Sequence, residues 1–372
     1  MFGIHVIDTG DTPNRFRRLA IFGGRALFDP VRCGFATVLI CLGMLTMPAL
    51  ATSEDAAEYI KSLPAERAAC RDKFRTREFE EAGEACRAWV TLAPDLAEKT
   101  EALSVLGQLY ATAGDMDEAK AALDEAASYV SRGRDAATVE KWVRMQALRA
   151  RLAEGRDQLD EANLIYSRTE ERVKIALGLS SPAYALAAEN RAAYLARQGD
   201  MQQASVLYTR AIGAYDAVFG PYNERSLETM LNLAVAQIDH QQKAEAERTL
   251  LSLLGAMKLG KRDNSEGAAE ALTFLGNLRV EKEDFRGALN YYRQALKVRQ
   301  AVHGGRDLRT AQSLNSAGIM YVKLKDYKRA EEMLSAAYSI RVSLLGPDDT
   351  QTISSLDAVQ AVIDLQKNSA AR

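Results

Sequence analysis

The sequence predicts an all-α solenoid, a chain of stacked helix hairpins, on three observations. Alanine recurs at Ala162, Ala204, Ala246, Ala288 and Ala330, each 42 residues after the last, and a fixed step of that size marks a repeat architecture. Twelve residues before four of these alanines stands a small residue: Ala192, Ala234, Gly276 or Gly318. Four residues after each alanine stands a large one: Tyr166, Tyr208, Leu250, Tyr292 or Leu334. Residues three or four apart share one helix face, and a small residue lets a second helix come close. Each unit therefore reads as two antiparallel helices, A and B, clasped where the small and large residues meet.

The first element is of another kind. Arg15, Arg17, Arg18, Arg25 and Arg32 precede an uncharged apolar run, residues 34–50, that ends in Ala49-Leu50-Ala51. A basic flank, a short apolar run and Ala-x-Ala form the pattern of a secretory signal peptide, with cleavage expected between Ala51 and Thr52. The run also reaches the lower limit of a membrane span, so retention of residues 34–50 as an inner-membrane anchor stays open. Residues 1–30 make a long n-region; read from Val31 as initiator, the segment is an ordinary short signal. The chain thus divides into a signal segment (1–51), a repeat array (52–348), and a C-terminal capping helix with its tail (349–372).

A less regular hairpin hangs on Ala82, and a regular one on Ala119. The second carries Leu103-Ser104-Val105-Leu106-Gly107-Gln108-Leu109-Tyr110, then Gly114-Asp115-Met116-Asp117-Glu118-Ala119, then Leu123 and Ala126. With its small residue, tyrosine, turn glycine and alanine in register, it resembles the tetratricopeptide repeat. Helix B of later units runs into Leu177-Gly178-Leu179-Ser180-Ser181-Pro182, Phe219-Gly220-Pro221-Tyr222 and Leu345-Gly346-Pro347-Asp348-Asp349, with a weaker version at His303-Gly304-Gly305. These joints and the 42-residue step resemble kinesin-light-chain-type tetratricopeptide repeats. The resemblance spans roughly residues 66–366 and implies a right-handed superhelix of about seven antiparallel hairpins plus the capping helix.

The joints also have a direct chemical reading. Glycine after a helix takes the left-handed cap conformation, and a following proline stops continuation. Ser181 caps the next helix, with Pro182 in its first turn, where the missing N–H is harmless. The joint Leu259-Gly260-Lys261-Arg262-Asp263-Asn264-Ser265 lacks proline and is charged, so it is expected to be mobile or to carry a contact of its own. After Ala330 the period predicts one more helix A, with Ile353, Leu356, Val359 and Ile363 as its apolar face and Gln360 at the position that is small elsewhere. A polar residue where a partner helix would sit suits a terminal cap.

Cys33 and Cys41 fall in the signal segment, leaving Cys70 and Cys86. Aligned through Ala82, Cys70 takes the small position of helix A and Cys86 the large position of helix B, which face each other in an antiparallel pair. Two readings stand: a disulfide stapling the first hairpin of an exported chain, or two buried thiols serving as small apolar residues.

A net charge of −2 with 26% charged residues provides no basic field, so nucleic acid is not an expected partner. Outside the signal segment the histidines are His240 and His303, with no cysteine or carboxylate cluster spaced around them to hold a metal. Neither a serine elbow nor a phosphate loop is present. Acidic pairs such as Glu80-Glu81 and Glu331-Glu332 sit beside lysine and arginine, as on a solvated helix face. No enzyme activity and no cofactor are expected.

The resemblance implies that helices A line a concave face where a protein or peptide partner lies extended. Asn190, Asn232, Asn277 and Asn315 fall near the middle of helix A. Amides that donate and accept can clamp a peptide backbone without demanding one sequence; equally, these are ordinary polar residues on a wet face. The lysine–asparagine carboxylate clamp of some relatives does not assemble, because Glu189, Leu231 and Thr273, then Ala193 and Val235, occupy its positions. Trp142, Tyr291 and Tyr292 are partner anchors or core aromatics. The expectation is a periplasmic or secreted scaffold. The alternative is a structural or regulatory subunit of an envelope enzyme or secretion complex, retained at the inner membrane by an uncleaved segment 34–50. Exposed ends of the stack leave a homo-oligomer open.

Overall fold

The computed structural model describes residues 53–131 and 135–370. The signal segment, with Cys33, Cys41, Ala51 and Thr52, lies outside the described residues. Fifteen helices are described, joined by turns and loops: α1 (Ser53–Thr76), α2 (Phe79–Leu92), α3 (Leu96–Ala113), α4 (Met116–Val130), α5 (Ala136–Gly155), α6 (Leu159–Leu177), α7 (Pro182–Arg197), α8 (Met201–Phe219), α9 (Glu224–Asp239), α10 (Lys243–Leu259), α11 (Glu266–Glu281), α12 (Phe285–His303), α13 (Leu308–Lys323), α14 (Tyr327–Leu345) and α15 (Thr350–Ala370). Odd-numbered helices up to α13 are the A helices, even-numbered ones the B helices, and α15 is the added A helix. The fold is an all-α solenoid of helix hairpins.

The chain forms two compact units, one ending at Ala122 and including Arg151–Gln158, the other made of Leu123–Ala150 and everything from Leu159. In the first unit α1 packs on α2 and α2 on α3. Its core holds Cys70, Ala82, Cys86, Trp89, Ala102, Leu106 and Leu109. The Trp89 indole N–H donates to Glu98 Oε1 at 2.7 Å, so the buried ring keeps its polar end satisfied. The sulfur atoms of Cys70 and Cys86 lie 2.09 Å apart, with their Cα atoms 4.8 Å apart.

In the second unit α7, α9, α11 and α13 each pack on the B helix before them and on the B helix of their own hairpin, and α15 packs on α14. Ala269 and Leu272 of α11 meet Ala295 and Val298 of α12, and Ala311 and Leu314 of α13 meet Ala337 and Ile340 of α14. Between hairpins, Ala288 and Tyr292 of α12 meet Ala317 and Met320 of α13. All five alanines of the sequence ladder are 0% exposed. Full burial of so small a side chain at each crossing goes with close approach of the helices.

In two hairpins the clasp has the predicted partners. A Cβ placed on Gly276 would lie 2.5 Å from Tyr292 Cε1, and one on Gly318 would lie 2.7 Å from Leu334 Cγ. Glycine at these two positions is therefore a requirement of space.

Three joints correct the expected cap geometry. Gly220 (φ 80°, ψ 164°), Gly304 (φ 81°, ψ −179°) and Gly346 (φ 89°, ψ 167°) combine positive φ with an extended ψ. That region lies outside the left-handed helical well and is essentially restricted to glycine. The chain leaves helix B straight from it, and the next cap follows three residues on: Asn223 accepts from the Ser226 N–H and Asp307 from the Arg309 N–H; Ser181, after Gly178, accepts from the Tyr184 N–H. The charged joint is built differently. Gly260 keeps φ −79°, Lys261 takes φ 55°, and the Arg262 N–H closes the turn onto Met257 O at 2.7 Å.

The last helix departs from its expected face. Ile353 and Leu356 are each 47% exposed, while Thr352, Ser355 and Val362 are buried. Val359 packs with Val362 against Tyr321, Ala330 and Leu334, and Ile363 is half-buried. The reason is register. Ile353 and Leu356 fall 42 residues after Ala311 and Leu314, positions that face the B helix of the same hairpin, and among the described residues no B helix follows α15. Gln360 is exposed and donates to Asp364 Oδ1 at 3.1 Å.

Candidate binding face on the A helices

The four asparagines lie on α7, α9, α11 and α13, and the structure does not bring them into one row. Asn190 and Asn232 occupy the same place in successive repeats, 42 residues apart. Asn277 aligns instead with Ala193 and Val235, and Asn315 with Glu189, Leu231 and Thr273. Their bonds differ accordingly. The Asn190 amide donates to Leu186 O of its own helix at 2.8 Å. The Asn232 amide reaches across to Glu189 Oε1 at 2.9 Å. Asn277 Oδ1 accepts the Tyr292 hydroxyl at 2.6 Å. Asn315 is half-buried and makes no side-chain hydrogen bond among the described residues.

Glu189 is the residue that sequence reasoning passed over, naming it only as a place where lysine was missing. It sits on α7, half-buried, and besides the Asn232 amide it takes the Tyr215 hydroxyl at 3.5 Å. Burial pushes its carboxyl above the ordinary range, against the donors that favour ionisation. Glu270 on α11 is raised too, by burial first and then by the neighbouring Glu266. A half-buried carboxylate held by an amide and a phenol is an acceptor aligned by fixed donors. It suits a partner that brings a cation or an N–H group. The signal that could have revealed it is a glutamate aligned with Leu231, Thr273 and Asn315 in the middle of an A helix.

The proposed aromatic anchors separate. Trp142 and Tyr292 are buried, Trp142 beneath the Arg172 guanidinium 4.2 Å from its ring centre, and Tyr291 is half-buried among core residues. The buried pair belongs to the core. His303 Nε2 lies 2.8 Å from Glu266 Oε2, and His240 ends α9, its backbone N–H on Ala236 O. Among the described residues no three histidine, cysteine or acidic side chains come together as a metal site, and no helix is long and apolar enough to cross a membrane.

A sequence profile of the tetratricopeptide repeat matches residues 267–343, and a second profile of the same repeat matches residues 100–129. The chain carries tetratricopeptide repeats. The longer match takes in both glycine clasps, Gly276 with Tyr292 and Gly318 with Leu334. No curated protein sequence matches the tetratricopeptide chain. Among solved structures it is similar to BtubC (BKLC) from P. vanneervenii, with 19% identity over 75% of this chain and 93% of that one, at a TM-score of 0.40. A putative kinesin light chain of nearly identical repeats from Podosopora anserina shows 16% identity over 54% of this chain and 95% of that one, at 0.45. The C-terminal part of a repeat-containing protein from Cytophaga hutchinsonii shows 13% identity over 78% and 99%, at 0.42.

Proposed function

We propose that this tetratricopeptide repeat protein is an exported, non-enzymatic scaffold that holds a segment of a partner protein along the faces of α7, α9, α11 and α13. Tetratricopeptide repeats are in general protein-binding modules. The observation that carries the reading is the Asn232–Glu189–Tyr215 group. It is a half-buried acceptor on an A-helix face, ringed by polar side chains where the B helices turn alanine and leucine inward. A partner segment there meets donors and acceptors fixed before it arrives, which limits the ordering cost of binding. Export rests on the signal-peptide pattern before Thr52, and the Cys70–Cys86 pair fits an oxidising compartment.

The test is photo-crosslinking in whole cells, with a photoreactive residue at Asn232 or Asn315 and a control at Arg248, exposed on helix α10. Crosslinks to one discrete envelope protein from positions 232 and 315, and none from 248, are expected. Crosslinks from 248 alone would place the working surface on the B helices and sink the proposal.

A further inference from the structure

An arginine that is buried on α12 recurs one repeat later, half-buried, at the far end of the array, and the two copies are treated differently. Arg299 on α12 is 4% exposed and bonded through two of its nitrogens. Its Nε donates to Glu266 Oε1 at 3.0 Å and its Nη1 to Ser313 Oγ at 2.8 Å. Beside it, the buried Thr310 hydroxyl donates to Gly304 O at 3.0 Å. One repeat later Arg341, Ser355 and Thr352 occupy the same three places, 42 residues on.

The fourth member changes. Where Glu266 stands, the next repeat has Leu308, a side chain that is 37% exposed. Arg341 Nη1 still donates to Ser355 Oγ. Its Nε, however, is buried with no hydrogen-bond partner among the described residues, and so is the hydroxyl of Thr352, itself 1% exposed. Ser355 Oγ is committed further, donating to Gln351 O at 2.8 Å. The nearby acid, Asp349, is occupied as a cap, accepting the Gln351 N–H at 2.8 Å and the Thr352 N–H at 3.3 Å. Burial lowers the Arg341 pKa, and Asp349 opposes the shift only from a distance.

A guanidinium N–H buried without an acceptor is costly, and a buried hydroxyl without a partner adds to it. Both orphans fall at one corner between α14 and α15. The preceding repeat satisfies both equivalent atoms, the arginine Nε with a carboxylate. We propose that this corner is a binding site for an acidic side chain, an aspartate or glutamate of a partner protein that docks on Arg341 as Glu266 docks on Arg299. Guanidinium favours carboxylate through paired N–H donors, and the Thr352 hydroxyl supplies a further donor for the second oxygen. The proposal does not depend on the asparagine-bearing faces.

The test uses the whole chain and sodium propionate, which carries the glutamate carboxylate on its methylene stem. The Arg341 Nε–H resonance, assigned by its loss in Arg341→Lys, is followed at constant ionic strength. A saturable shift with propionate is expected. Leu308→Glu should move the same resonance without ligand and abolish the propionate response, because it restores the missing carboxylate within the chain. Leu308→Gln should do neither. Leu308→Glu should also raise the melting midpoint by about 2–4 °C, an increase lost when Arg341→Lys is added. No saturable shift with propionate would overturn the proposal. So would saturation by inorganic phosphate with no response to propionate, which would make the corner a phosphate site. An Arg341 signal unmoved by Leu308→Glu would show that the two positions do not meet as their counterparts do.

Discussion

Tyr292 is held at two points, its ring over Gly276 and its hydroxyl on Asn277, so it has little freedom to move aside. A methyl at position 276 would meet Cε1 at 2.5 Å and Cδ1 at 2.8 Å, well inside contact distance. Gly276→Ala should therefore destabilise by about 1–3 kcal/mol, the usual range for forcing an extra carbon into a packed core. Urea midpoints of the purified chain would measure it. Adding Tyr292→Leu should recover part of the loss, because Ala234 and Leu250 already use that pairing two helices earlier, with both side chains 0% exposed. Losses that simply added would show that the ring is not what excludes the methyl. The small–large spacing was readable in the sequence because it is a steric rule, and steric rules repeat. The destination of Glu189 was not, since it depends on Asn232 and Tyr215 arriving from two other helices.

At the scale of the element, the turns within hairpins form a second register. Gly199, Gln241, Glu283 and Lys325 follow one another at 42-residue steps and all have positive φ, at 91°, 59°, 57° and 63°. Immediately after them Asp200, Asp284 and Asp326 cap their B helices, accepting from the N–H groups of Gln203, Gly287 and Arg329. The fourth position is Gln242, which makes no side-chain cap bond. Gln242→Asp should supply the missing acceptor to the first turn of α10 and stabilise by about 1 kcal/mol. A melting midpoint unchanged from the parent would show that α10 gains nothing from a cap. Helices, the positions of the joints and the Ser181 cap were legible because each has local chemistry. The exposed face of α15 was misread for the converse reason. Ile353 and Leu356 keep the helical spacing of an inner face, and only the neighbour present in space decides whether such a face is covered. The asparagines differ in place as well: a shift from position 274 to 277 moves an amide from the Asn190 place to the Ala193 place in the repeat.

At the scale of the whole molecule, export and the first hairpin are linked through Cys70 and Cys86. Repeat arrays hold together by nearest-neighbour contacts, and among the described residues the first hairpin has a neighbouring hairpin on one side only, where a covalent link helps most. A bond between these sulfurs closes a loop with a sequence separation of 16, and restricting about 15 residues of unfolded chain contributes about 3 kcal/mol. That gain exists only where thiols are oxidised, which ties it to the signal-peptide pattern before Thr52. Intact mass of the protein from a periplasmic extract, alkylated with and without reductant, tests both together. The expected mass begins at Thr52, with Cys70 and Cys86 protected from alkylation until reduced. Cys86→Ser should then lower the stability of the first hairpin by about 2–4 kcal/mol, read as faster amide exchange across α1 and α2 than across α11 to α14. A full-length, membrane-bound mass with two alkylated thiols would reverse the inference. The pair would then be a small apolar contact, and partners of the A-helix faces would have to be sought on the cytoplasmic side.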